Sequence, residues 1–129
     1  MSSQIPCSPA RWAGDLLNVA GQLGTAKGRG LVIADGDGRE SQVTAQTRQA
    51  LKNVLDIVEA NGLTAADVVK TTVYLVKWAD YDAMHAEYTK IFPSSSDDNP
   101  PARMTMAVHE LWNNALVEID CWAYRNNKA

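Results

Sequence analysis

Apolar and polar residues alternate near the N-terminus in a way that predicts β-strands. Residues 10–24 contain two short strand-like runs, and the Gly14-Asp15 pair between them is a turn signal. Residues 31–40, LVIADGDGRE, are typical of a third short strand that ends in a glycine-rich turn. The chain therefore is expected to open with three strands.

Two later segments change to the period of a helix. In residues 41–62 the apolar side chains recur at helical spacing, with Ser41 as the expected N-cap and Asn61-Gly62 as the end. In the second segment Asp80 is the expected cap, and one apolar stripe follows it, made of Tyr81, Met84, Tyr88 and Phe92. Each helix has one apolar stripe, so each needs one surface to cover it.

Three further runs have the composition of strands. Residues 68–76, VVKTTVYLV, are rich in β-branched residues and predict a buried strand, and two more strands are expected at about 102–108 and 115–124. The element order is then β-β-β-α-β-α-β-β in one domain over residues 1–129. The economical α+β architecture is a single sheet with both helices on one face. Local rules alone would pair the last two strands as a hairpin.

Alternation within the last two strands assigns their side chains to faces. In residues 102–108 the methionines and Val108 point one way, and Arg103 and Thr105 point the other. In residues 115–124 the apolar set opposes a set that mixes Glu118 and Asp120 with large apolar rings. We expect the apolar set of each strand to lie under the helices. Arg103 and Glu118 would then share the other face, which charges and rings together mark as a subunit interface.

Composition narrows the classes of function. The net charge of the 129 residues is −3 and no basic block occurs, so a nucleic-acid-binding surface is not expected. Cys7 and Cys121 are isolated thiols, which suit a reducing compartment better than a disulfide scaffold. No apolar signal segment and no membrane span are visible, so the expectation is a soluble cytoplasmic protein.

Five segments in order and spacing resemble the RidA/YjgF family of reactive intermediate deaminases. They are NVAGQLG, QTRQALKNVLDIVEANG, DVVKTTVYLV, PPAR and ALVEIDCWAY, and the resemblance covers nearly the whole chain, about 10 to 125. The 15-residue spacing from Arg103 to Glu118 is the most specific part. The resemblance implies a chorismate-mutase-like α+β fold with residues 68–76 between the last two strands. It also implies a homotrimer with sites in the clefts between subunits.

The same resemblance implies roles for two charged residues. Arg103 is expected to bind the carboxylate of a 2-imino or enamine acid, and Glu118 is expected to handle the water that hydrolyses it to a 2-keto acid and ammonia. A guanidinium can donate two parallel charge-assisted hydrogen bonds to a carboxylate, which suits the first role. Position and one acid/base group could supply the acceleration, so neither a metal nor an organic cofactor is expected.

Around these two residues the sequence departs from the family pattern. The usual tyrosine of the N-terminal segment falls on Cys7, and the usual serine before Gly21-Gln22 falls on Ala20. The usual asparagine falls on His85, and the usual cysteine after the arginine falls on Thr105. These four positions are expected to line the substrate pocket. Because Arg103 and Glu118 are kept, the expected type of reaction is unchanged. The four substitutions make it doubtful that the substrate is the usual small one.

Other functions remain open at this point. One is a deaminase for a larger catabolic substrate such as an aminomuconate. Another is a non-catalytic trimer that binds a small carboxylate metabolite and reports it to a partner. Glu118 discriminates between enzyme and binder, because a second carboxylate beside an anionic ligand opposes binding. An RNA-cleaving role is disfavoured by the acidic balance of charge.

Overall fold

A five-stranded mixed sheet forms the centre of the computed structural model, which describes residues 6–28, 30–93 and 99–126. The strands are β1 (Ala10–Ala13), β2 (Leu16–Leu23), β3 (Val68–Leu75), β4 (Ala102–Ala107) and β5 (Val117–Tyr124). The helices are α1 (Arg39–Ala60) and α2 (Tyr81–Ile91). The turn between β1 and β2 contains Gly14 at φ 61°, a conformation that glycine adopts without steric cost.

The strand order across the sheet is β1-β2-β5-β3-β4. Strand β3 is antiparallel to β5 and parallel to β4, so it separates the two last strands. This confirms the order that the family resemblance implied and excludes the hairpin that local rules favoured. A parallel pair needs a crossover connection, and α2 supplies it between β3 and β4.

Both helices cover one face of the sheet. The core between them and the strands includes fully buried side chains from α1, α2 and β5, among them Val54, Met84 and Ile119. The predicted stripe of α2 is confirmed at Met84, Tyr88 and Phe92, which are buried, and Tyr81 is partly buried against the same core. The other sheet face has no covering element among the described residues.

The expected third strand is absent from residues 31–40. Only an isolated bridge joins Thr25 to Leu31, and Ile33 is 92% exposed instead of lying in the core. Four apolar residues, 31–34, precede the aspartate- and glycine-rich turn, and an isolated strand-like run forms no ladder unless a neighbouring strand pairs with it. The order of the described elements is therefore β-β-α-β-α-β-β.

The two expected N-caps also behave differently from prediction. Helix α1 begins before Ser41, because Gly38 takes φ 93° and occupies the N-cap position itself. Asp80 does precede α2, but its side chain makes no capping bond. Its carboxylate instead accepts two hydrogen bonds from Arg39, at 2.9 and 2.8 Å, and so ties the start of α2 to the start of α1.

The close approach of α1 to the end of β2 depends on Gly24. A Cβ atom at this position would lie 2.6 Å from both the Cα and the carbonyl oxygen of Gln46. Backbone atoms of a helix cannot move aside as a flexible side chain can. Nearby, Asn53 donates hydrogen bonds from α1 to the carbonyls of Leu23 and Thr25, at 3.0 and 2.9 Å, and holds the same junction together.

We expect Gly24→Ala to lower the free energy of unfolding by about 1–3 kcal/mol, because the added methyl overpacks the junction. The measurement is the urea midpoint. Gly30→Ala is the matched control, since a Cβ atom there meets nothing within 4 Å. Equal midpoints for the two variants would contradict the close contact between α1 and β2.

Candidate functional site

Arg103 lies on edge strand β4, on the face of the sheet that the helices cover. Its register partner in β3 is Thr71, which pairs in turn with Cys121 of β5. Residues paired in register share a face, and both Thr71 and Cys121 are fully buried under the helices. Thr105 lies two residues further along β4, so it faces the same way.

The methionines of β4 consequently lie on the open face, which corrects the expectation that they would lie under the helices. Met104 is 52% exposed. This arrangement is possible because β4 is an edge strand. On the side that the helices cover, the long side chain of Arg103 reaches α2 with its guanidinium. The methionines therefore point to the uncovered face.

The guanidinium of Arg103 is held by neutral groups of α2. One terminal nitrogen lies 3.1 Å from Nδ1 of His85, and the other donates a hydrogen bond to the hydroxyl oxygen of Tyr81. The central carbon of the guanidinium lies 4.7 Å from the ring centre of Tyr88 and 5.4 Å from that of Tyr81. Aromatic faces attract cations and stabilise this charge.

No acidic side chain forms an ion pair with Arg103 within residues 6–28, 30–93 and 99–126. By contrast, three arginines of the described chain form ion pairs with carboxylates: Arg39, Arg48 and Arg125. Arg103 thus keeps a half-buried positive charge without a protein anion. Such a charge can bind the carboxylate of a ligand.

The contact with Arg103 determines the tautomer of His85. An arginine has only donors, so Nδ1 must accept and the ring proton of neutral His85 lies on Nε2. The ring of Tyr81 stacks between two neighbours. Trp78 lies 5.3 Å away at an interplanar angle of 29°, and His85 lies 5.3 Å away at 14°. The ring whose hydroxyl contacts Arg103 is therefore restrained by two stacking neighbours.

Glu118 lies on the opposite face of the sheet from Arg103, which corrects the prediction that the two share a face. Its register partner in β3 is Tyr74, which also pairs with Met106. Tyr74 is three residues from Thr71, and an odd separation along a regular strand places two side chains on opposite faces. A single copy of the chain therefore presents Arg103 and Glu118 to different surroundings.

The carboxylate of Glu118 packs above Gly21. A Cβ atom at Gly21 would lie 2.0 Å from Oε2 of Glu118, so a larger residue there would displace the carboxylate from this position. Gly21 lies where the register of β2 shifts relative to β5, between Val19 and Gln22. A bulge of this kind bends the strand and re-aims the neighbouring side chains.

Burial raises the pKa of Glu118, and the negative charge of Asp120 raises it further. Asp120 itself accepts a hydrogen bond of 3.0 Å from the hydroxyl of Tyr74. The face around Glu118 thus combines two carboxylates and a phenol. A carboxyl group with a raised pKa can take up and release a proton closer to neutral pH than an ordinary glutamate.

The predicted site residues fall into two groups, one on edge strand β4 with α2 and the other on central strand β5 with neighbouring β2. Arg103, Thr105 and His85 lie with β4 and α2. Ala20 and Glu118 lie with β2 and β5, and the backbone bond of 2.9 Å from Ala20 N to Pro9 O brings the segment after exposed Cys7 alongside them. The structure brings the members of each group together and separates the two groups.

Three residues of these two groups were missed at the level of sequence. Tyr81 and Tyr88 looked like parts of an apolar stripe, although their hydroxyls were a signal for a polar role. Tyr88 bonds to Thr71 at 2.7 Å, and burial raises the pKa of the Tyr88 hydroxyl. The sequence shows Gly21 only as part of the family motif NVAGQLG and gives no sign of its contact with Glu118. The neighbouring Cys121 thiol has its pKa raised to about 12, first by burial and then by Asp120, so it is not a nucleophile.

Within the described part of the chain, no three His, Cys, Asp or Glu side chains are arranged to hold a metal ion. Among the same residues no helix is both long and apolar enough to cross a membrane.

Several known proteins are similar in sequence to this chain over most of its length. A RutC family protein of Haemophilus influenzae is 39% identical over 112 residues, which cover 87% of this chain and 81% of that protein. The 2-iminobutanoate/2-iminopropanoate deaminase of Escherichia coli K12 is 36% identical over 112 residues, with the same coverage of 87% and 81%.

Solved structures share the fold. The crystal structure of the E. coli YjgF gene product superposes with a TM-score of 0.78 at 34% identity, covering 94% of this chain and 89% of that one. E. coli TdcF with bound serine superposes with a TM-score of 0.80 at 26% identity, covering 96% and 92%. The sequence model of the family described as Endoribonuclease L-PSP matches residues 2–125. The chain therefore belongs to this family, which is the YjgF/RidA family whose motifs its sequence carries.

Proposed function

We propose that this protein is a cofactor-free deaminase that hydrolyses a 2-imino or enamine carboxylic acid. In the imine form, the oxygen of water bonds to the imine carbon, and the carbon–nitrogen bond then breaks. The products are a 2-keto acid and ammonia, with no change of oxidation state overall. The deaminase name of the E. coli relative supports the reaction class.

The observation that carries this proposal is the state of Arg103. Its charge is half-buried and is contacted by His85, Tyr81 and the ring of Tyr88, none of which is an anion. Two of the five N–H groups of an arginine are engaged by these contacts, which leaves three donors for a ligand. A substrate carboxylate would supply the missing negative charge and would be oriented by the planar fork.

Glu118 is the proposed acid/base group. Its ionised form would accept a proton from the attacking water, and its protonated form would return that proton to the departing nitrogen. A single group that performs both transfers works best when its pKa lies near the working pH. Burial and the charge of Asp120 raise the pKa of Glu118, which brings it closer to neutral pH than that of an ordinary glutamate.

Because the two residues lie on opposite faces, we propose that Arg103 of one copy meets Glu118 of another in a homotrimer. The open face offers a surface for such packing, since Met104, Trp122 and Tyr124 are 52%, 46% and 48% exposed. Exposed rings and methionine beside charged groups are typical of protein interfaces. The catalytic site would then be incomplete in a single chain.

The size of the substrate side chain is the finer part of the proposal. Cys7 and Ala20 bring no hydroxyl to the Glu118 side of the site, and both are smaller than the tyrosine and serine of the family pattern. We propose that this leaves room for imino acids with longer side chains, including conjugated ones such as an aminomuconate. TdcF binds serine, so at least one structural relative accommodates a small amino acid.

Replacing Arg103 tests the anion site directly. We expect Arg103→Ala to weaken binding of the keto-acid product by about ten- to a hundredfold, because a charge-assisted hydrogen bond contributes about 1.5–3 kcal/mol. Arg103→Lys keeps the charge and loses the planar fork, so its affinity is expected to fall between the two. Calorimetric titration with pyruvate and an ammonia-release assay measure both effects. Wild-type affinity and rate in Arg103→Ala would disprove the proposed function.

Mixing two inactive variants tests whether the site is shared. Arg103→Ala lacks the anchor, and Glu118→Gln lacks the base, so each alone is expected to lose at least about a hundredfold in turnover. Co-refolded at equal amounts, they should recover about a quarter of the wild-type activity, because that share of randomly formed interfaces holds both native residues.

If both residues of a site come from the same copy, the mixture stays inactive. Separate refolding followed by mixing without exchange is the control. Native mass spectrometry of the mixture reports the composition of the assemblies.

The pH profile tests the role assigned to Glu118. The charge of Asp120 raises the Glu118 pKa, so Asp120→Asn removes this contribution and lowers that pKa. If ionised Glu118 is the base, the acidic limb of the kcat/KM profile should move to lower pH in Asp120→Asn. Asparagine can still accept the hydrogen bond from Tyr74, so the fold around the site is retained. An unmoved or oppositely moved limb would show that Glu118 is not the titrating group.

A further inference from the structure

The hydroxyl of Tyr81 has a proton that its partner Arg103 cannot accept in a hydrogen bond. The oxygen of this hydroxyl accepts a hydrogen bond from Arg103. An arginine has no acceptor, so the hydroxyl cannot donate its own proton back to the guanidinium. Among the residues that the structure describes, no acceptor receives a hydrogen bond from Tyr81. A polar O–H group therefore stands beside the unpaired cation.

The ring that bears this hydroxyl is held by two stacking neighbours and by the guanidinium itself. Trp78 and His85 stack against it at 5.3 Å each, and the Arg103 guanidinium lies 5.4 Å from its centre. Restraint by stacking costs a ligand nothing at the moment of binding, because the donor is already oriented. The position of the hydroxyl relative to the guanidinium is thereby fixed before a ligand arrives.

We propose that the Tyr81 hydroxyl and the Arg103 guanidinium form one carboxylate clamp, in which the phenol donates to the substrate carboxylate that the arginine binds. The inference rests on the proposed function, since it concerns the same anion. A carboxylate accepts through two oxygens with about four lone-pair sites, so it can take up both donors at once. Tyr81 is then a substrate-binding residue and not only a member of the apolar stripe of α2.

His85 contacts Arg103 as closely but cannot play this part. Its Nδ1 accepts from the guanidinium at 3.1 Å, and its proton lies on Nε2, on the side of the ring away from that contact. Its role toward the anion is to position Arg103. The chain therefore contains two aromatic partners of one guanidinium, of which Tyr81 has its donor beside that guanidinium and His85 has its donor on the other ring nitrogen.

This difference supplies a matched pair of variants. Tyr81→Phe removes the hydroxyl and keeps a ring for the stack, and His85→Phe removes the imidazole acceptor and also keeps a ring. Each removes one hydrogen bond to Arg103. The probe is pyruvate, titrated by calorimetry into both variants, Arg103→Ala and the wild type at one fixed pH, with thermal unfolding and native mass spectrometry as checks of fold and assembly.

We expect Tyr81→Phe to weaken pyruvate binding at least about tenfold, as for loss of a hydrogen bond to a charged group, and His85→Phe to weaken it about threefold or less, as for a looser arginine. The double variant Tyr81→Phe/Arg103→Ala should bind no more weakly than Arg103→Ala alone, because the clamp acts as a unit.

Equal losses in Tyr81→Phe and His85→Phe would overturn the clamp, since Tyr81 would then act only by positioning Arg103. Affinity in Tyr81→Phe within twofold of the wild type would overturn it as well. Neither result touches the proposed function as long as Arg103→Ala loses binding. Undiminished binding in Arg103→Ala would instead remove the proposed function and the clamp with it.

Discussion

Neighbouring residues of a β-strand point to opposite faces of the sheet, and this constraint governs where the charged residues of the protein can act. Thr71 and Tyr74 of β3 are an odd number of residues apart, so their register partners Arg103 and Glu118 lie on opposite faces. Arg103 faces the helices, and Glu118 faces the open side. Under the proposed function, chemistry therefore depends on how copies of the chain pack together.

The electrostatic surroundings of Arg103 are the second feature on which the proposed function depends. Arg103 is stabilised by ring faces and neutral acceptors, so its charge stays available, and all these partners lie on α2. Helix α2 is in turn tied to α1 by carboxylates. Buried Glu87 accepts a bond of 2.8 Å from Arg48, and its pKa is lowered because Lys90 and Arg48 outweigh the opposing effect of burial. The ion pairs of the helix layer thus keep the arginine partners in place over β4.

Much of the fold was predictable from local pattern. The positions of five strands and two helices, the stripe of α2 and the turn at Gly14 follow from short-range rules of periodicity and turn chemistry. The prediction of a third strand was wrong because a run of four apolar residues has a strand-like composition whether or not another strand lies close enough to pair with it. The place of β3 between β4 and β5 came from family resemblance and not from local rules, since pairing partners are non-local.

Two helices, five of the six expected strands and the family motifs could be read along the chain, because periodicity and spacing are local properties of the sequence. The face that each charged residue occupies, and the groups around it, depend on strand pairing and helix packing, which are non-local. On edge strand β4 both faces are partly exposed, so hydrophobicity could not distinguish Arg103 from Met104. The contact of Tyr81 with Arg103 joins residues 22 positions apart, and only the crossover of α2 over the sheet brings them together.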